Sequence, residues 1–139
     1  MVRLLVIFLL LNVFTPLFAQ VVVIHVAVPD EPVDHQRVTS LLLGRSTTWK
    51  DGSPVTLILA ADPAADLHLS HIIGRDRSLL MRGWKRLVFG GSGSMPVEAT
   101  SVANALELVG RTPGAVALLD NAPPDPRWRV IPIMVTAGR

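Results

Sequence analysis

An α/β domain with helices flanking a mostly parallel sheet is the fold class the sequence predicts, and three observations predict it. Short apolar runs rich in Val, Ile, Leu and Ala recur at residues 21–28, 54–60 and 115–120. Segments with helical spacing of apolar residues separate those runs. Capping residues and glycines mark the boundaries. Strands that alternate with helices are covered on both faces, which makes a three-layer domain.

Each element follows from local signals. "VVVIHVAV" (21–28) is a near-continuous apolar run, the mark of a doubly covered strand, and "PDEP" ends it. Asp34 caps a helix over 34–43, with Val38, Leu41 and Leu42 on one side and Gly44 as its stop. "PVTLILA" (54–60) is a second buried strand. Asp62 before Pro63 is a cap followed by proline at the first helical position, and that helix runs to about Ile73 and stops at Gly74. A further helix begins near Ser78 and carries Leu79, Leu80, Trp84, Leu87 and Val88 at helical spacing. "FGGSGSMP" (89–96) is a flexible loop. Ala99 to Val109 reads as the third main helix, with Val102, Ala105, Leu106 and Val109 inward. After a "TPG" turn, "AVALLD" (115–120) is a strand and "NAPPDPRW" (121–128) a proline-rich excursion. "RVIPIM" (129–134) is an edge strand, because Pro132 cannot donate to a ladder.

A chain of 139 residues holds one domain. Half of it is apolar and 17% is charged, so a packed core forms and disorder is excluded. Lys and Arg exceed Asp and Glu by 13 to 11, and they form no basic run. A nucleic-acid surface shows a stripe or patch of cations, so none is expected as a partner. The absence of cysteine removes disulfides, thiolate metal sites and a Cys nucleophile.

Residues 1–19 read as a signal peptide. "MVR" supplies the positive start, "LLVIFLLLNVF" the apolar stretch, and "TPLFA" a helix breaker and a small residue before cleavage. A retained membrane anchor is the rival reading. Asn12, Pro16, Gln20 and His25 interrupt the apolar character that it needs. The mature domain is then 20–139, periplasmic or secreted, with no membrane span after cleavage.

Few residues suggest chemistry. His68 and His71 lie three apart on a predicted helix and share a face, where the expectation is solvated side chains. A metal would need a third ligand such as Asp66. His25, inside an apolar strand, reads as a partly buried, hydrogen-bonded residue. Ser40, Ser70, Ser92 and Ser94 lie in no nucleophile-elbow pattern. No nucleophile, base and orienting acid come together, so neither catalysis nor a cofactor or metal is expected. "GGSGSMP" (90–96) could cradle an anion before a helix, but it lacks the Lys of a nucleotide loop, and Glu98 adds negative charge.

Three stretches, "LLLGRSTTWKDGSPV" (41–55), "RLVFGGSG" (86–93) and "VGRTPGAVALLD" (109–120), resemble one lobe of the phosphate-type periplasmic solute-binding proteins of ABC transporters, especially the short single-lobe members. The resemblance spans about residues 22–120. It implies a single-lobe periplasmic-binding-protein-like fold, with Trp49 folded beneath the helix-to-strand connection as a structural plug on the sheet edge. In the phosphate-binding members, the strand matching "TLILA" leads into an Arg, an Asp and a Ser-Gly-Thr at a helix N-terminus. Here Ala60 stands at the Arg position, Asp62 matches the Asp, and Ala64, Ala65 and Asp66 replace Ser-Gly-Thr. The resemblance therefore implies a degenerate anion site at Asp62, Ala64, Ala65 and Asp66, without tight phosphate binding. A small solute held weakly there is one expectation. The other is a role as a protein-interaction module of an envelope assembly or signalling system, with an envelope protein or a second copy as partner.

Overall fold

The computed structural model describes residues 20–133. The expected signal peptide at 1–19 and the last six residues lie outside them. Five strands and four helices follow in order: β1 Gln20–His25, α1 His35–Leu42, β2 Thr56–Ala60, α2 Pro63–Ile73, α3 Arg77–Phe89, β3 Val97–Ala99, α4 Val102–Arg111, β4 Ala115–Leu119 and β5 Trp128–Ile133. One sheet has the order β3-β2-β4-β1-β5.

Alternation along the strands divides the core in two. Val22, Ile24, Leu57, Leu59, Val116 and Leu118 face α1, α2 and α3, which contribute Val38, Leu41, Leu42, Leu69, Ile72, Leu80 and Trp84. Val21, Val23, Ile58, Ala115, Ala117 and Leu119 face α4, with Ala105 and Val109. The domain thus has the expected three layers, three helices on one face and one on the other. Small residues on the second face let α4 approach closely, with Ala105, Ala115 and Ala117 fully buried.

The sheet is mixed, not mostly parallel. β2 runs parallel to β3 and β4. β1 runs antiparallel to β4 and β5. The apolar run of β1 correctly signals cover on both faces but carries no information on direction. The direction comes from the connection to β2. α1 has eight residues and rises only about 12 Å. Residues 47–55 then fold back, with Val55 N–H donating to the Thr47 carbonyl at 2.9 Å and Trp49 N–H to the Ser53 carbonyl at 2.8 Å. The chain returns to the end of the sheet that it left, so β2 opposes β1.

Trp49 is seated under this connection, 2% exposed. Its Nε1 donates to the Gly114 carbonyl at 2.9 Å. That oxygen also accepts from Thr56 N–H at 3.0 Å. Trp49 therefore closes the start of the central pair β2 and β4, not the edge of the sheet that the sequence suggested. The guanidinium of Arg37 lies 5.6 Å from its ring centroid and donates to Ser46 Oγ at 2.6 Å and to the Thr48 carbonyl at 3.0 Å. Burial of a Trp is worth on the order of 4–5 kcal/mol from area alone.

The helix signals hold. Asp34, Asp62, Asp76 and Ser101 cap the four helices by accepting N–H bonds from the third residue on. The start of α4 differs from the expectation, because Val97–Ala99 form β3 beside β2. Three residues are too few for a period to register. Glu98 lies in this strand, exposed. The glycine loop therefore precedes a strand and has no helix dipole to offer an anion. β5 is an edge strand carrying Pro132, as expected.

Gly114 and Gly52 both have positive φ, 81° and 84°. A Cβ on Gly114 would lie 2.3 Å from the Pro54 carbonyl oxygen, whereas one on Gly52 meets nothing within 4 Å. Gly52→Ala should cost about 1 kcal/mol, the conformational term alone. Gly114→Ala should cost about 3 kcal/mol or more, because backbone must move and the Trp49 bond with it. Urea unfolding of the two variants checks this ordering.

Candidate functional site

The parallel strands β3, β2 and β4 end together, and the residues that follow them gather at one rim of the sheet. In an open α/β sheet this rim is where ligands bind. Ala60 leads to Asp62 and α2, Ala99 to Ser101 and α4, and Leu119 to Asp120. All four residues singled out from the sequence, Asp62, Ala64, Ala65 and Asp66, lie in the first turn of α2 or at its cap.

That turn is largely satisfied from within. Asp62 Oδ2 accepts from Ala65 N–H at 3.0 Å, and its carbonyl accepts from Asp66 N–H at 3.0 Å. Pro63 has no N–H. Of the orphan donors at the helix start, the N–H of Ala64 is left.

The sequence reading had no cation here, because Ala60 occupies the position at which the phosphate-binding proteins it resembles carry an arginine. The structure corrects this. Arg77, the first residue of α3, reaches back to the same place. Its Nη2 donates to the Ala60 carbonyl, and its Nε donates to Asp66 Oδ1 at 2.9 Å. The ion pair closes to 2.7 Å through Nη2. No sequence signal links residues 60, 66 and 77. They meet because Gly74, left-handed at φ 66°, turns the chain between α2 and α3.

An anion at Ala64 N–H would meet two carboxylates and one guanidinium that is already engaged. The charge around that amide is therefore net negative.

The histidines separate. His71 is exposed, whereas His68 is 5% exposed, contrary to the expectation of two solvated side chains on one face. His68 Nε2 lies 2.8 Å from Asp120 Oδ1, beyond the end of β4. α2 turns His68 toward β4 and His71 away from it. Asp66 is held by Arg77, and among the described residues no group of three His or carboxylate side chains could hold a metal. No serine or threonine hydroxyl bonds to the His68 ring among the described residues. His25 Nδ1 accepts from Ala27 N–H at 2.9 Å, as a partly buried strand histidine was expected to do.

The structure also collects cations that are scattered along the sequence. Arg75, Arg82 and Arg86 line one shallow depression of about 210 Å3 with Leu79 and Gly83 on the outer face of α3. Arg82 and Arg86 are one turn apart on α3 and Arg75 lies in the turn that precedes it, a grouping that escapes a search for consecutive charges. Leu79, one of the apolar residues at helical spacing, is 47% exposed here, and Phe89 at the end of α3 is 88% exposed.

No helix among the described residues is long and apolar enough to cross a membrane. No protein-family model matches the chain, and no curated protein matches it.

The His68–Asp120 bond should be structural. Asp120→Ala leaves a buried imidazole without its acceptor and should lower stability by about 1–3 kcal/mol. Asp120→Asn keeps an acceptor oxygen and should cost less. Chemical denaturation of both variants distinguishes this role from an unimportant surface contact, for which neither would change.

Proposed function

We propose that the chain is an exported, non-catalytic α/β domain related to the single-lobe phosphate-type solute-binding proteins, which has lost tight phosphate binding and acts as an interaction module through its surface. One observation carries this reading. The first turn of α2 is largely occupied from within the fold, with the Asp62 carboxylate on the Ala65 amide and Asp66 on Arg77 of α3. A receptor site needs donors left open for its ligand and dehydrated around it. Here Ala64 N–H is the one donor of the turn left open, the nearby guanidinium is engaged, and the Asp66 and Arg77 side chains remain partly exposed, 48% and 23%. Export rests on the leader-like sequence of residues 1–19. A single lobe is also one half of a cleft, and the partner surface is what an interaction module supplies.

Thermal melting tests the proposal. Millimolar phosphate or sulfate should leave the midpoint unchanged. A ligand present at a hundred times its dissociation constant would add about 2.7 kcal/mol, a rise on the order of 10 °C for a domain of this size. Asp66→Ser frees Arg77 and supplies a hydroxyl, so this variant should gain a phosphate-dependent rise that the unaltered chain lacks. A rise in the unaltered chain would restore the solute-receptor reading.

A further inference from the structure

We infer that the outer face of α3 docks on an anionic phospholipid surface, with a headgroup phosphate between Arg75, Arg82 and Arg86 and the tips of Leu79 and Phe89 in the apolar layer. The inference rests on the reading of the domain as a surface-acting module and names its partner.

The face is uniform in charge. Arg75, Arg82, Lys85 and Arg86 are exposed, and none makes an ion pair among the described residues. Asp76 is the one carboxylate close in sequence. It is used as the cap of α3, accepting from Leu79 N–H at 3.0 Å. Leu80 and Trp84 anchor the opposite side of the helix in the core, and Trp84 Nε1 donates to the Leu42 carbonyl at 2.8 Å. The helix is therefore held in place with its basic side outward.

Apolar groups are interleaved with these cations. Leu79 sits within the arginine depression. One end of the helix carries Phe89, which with Lys85, Val88 and Met95 lines a cleft of about 400 Å3. A cationic helix face with protruding aromatic and aliphatic side chains is the pattern of interfacial membrane binding. Free phosphate would use the arginines but leave Leu79 and Phe89 in water, so a lipid headgroup is the better match. An acidic protein surface would need a matching shape around two separate apolar tips, whereas a fluid bilayer adapts to them. Delivery agrees, because an export signal or an anchor at residues 1–19 brings the domain to a membrane face by either route.

The chain has no cysteine, so a single introduced thiol reports one position. Phe89→Cys in the full chain, labelled with a polarity-sensitive dye, should brighten and shift to the blue on vesicles containing phosphatidylglycerol. It should not do so on pure phosphatidylcholine. The same dye on Glu107→Cys of α4, across the sheet, should not respond. Because the signal is local, insertion of residues 1–19 into the vesicle does not produce it. Each cation near an anionic surface strengthens binding about five-fold, so Arg82→Gln with Arg86→Gln should weaken the response about 25-fold and leave thermal melting unchanged. High salt should abolish it. An unresponsive dye at position 89, an equal response on neutral vesicles, or a response that survives the double substitution would overturn the inference. So would a response to polyglutamate without one to vesicles, which would indicate an acidic protein partner. Phosphate-dependent melting of the unaltered chain would instead sink the reading of α2 while leaving the dye response intact.

Discussion

The guanidinium of Arg77 lies where β2 ends, α2 begins and α3 begins, and it bonds to the first two of these. Without it, the Ala60 carbonyl at the end of a buried strand and the Asp66 carboxylate on the first turn of α2 would both need other partners. Part of this ion pair is exposed, so its contribution to stability is modest, up to about 1 kcal/mol. Its consequence for the proposed function is larger. It removes the nearest cation from use by a ligand and holds a carboxylate against the helix start. The proposed loss of phosphate binding and the shift of attention to the outer face of α3 both follow from this contact.

The fold itself is held at its turns by indole groups. Trp49, Trp84 and Trp128 each donate Nε1–H to a backbone carbonyl, of Gly114, Leu42 and Pro123 respectively. Each ring fills space that a loop leaves against the sheet or a helix, and each N–H satisfies a carbonyl in a loop or at a helix end. The tryptophan in the polar stretch 44–54 has this structural reason. A backbone that folds back on itself under α1 needs apolar bulk below it and a donor at its far side, and Trp supplies both. Gly114 is the matching constraint, since no side chain fits between it and Pro54.

Much of the architecture was legible in the sequence because its signals are local. Asp34, Asp62 with Pro63, Gly44 and Gly74 mark helix ends through bonds to neighbouring residues. Runs such as "AVALL" mark strands because both faces are covered. Strand direction was not legible, because it depends on whether residues 26–55 cross the sheet or return. β3 was missed because three residues carry no period. The candidate site was half legible. Asp62, Ala64, Ala65 and Asp66 were placed correctly at a helix start, but Arg77 was not seen to reach them across the Gly74 turn. His68 was misjudged because its partner, Asp120, is 52 residues away.

Nuclear magnetic resonance reads the contact on which this depends. In a titration of the full chain with sulfate, the amide of Ala64 and the Nε–H of Arg77 should stay fixed through the millimolar range, with the Arg77 signal retaining the shift of a carboxylate-bound guanidinium. Joint, saturating movement of the two signals would show that Arg77 leaves Asp66 for an anion seated on α2, and the closed site would be an open one.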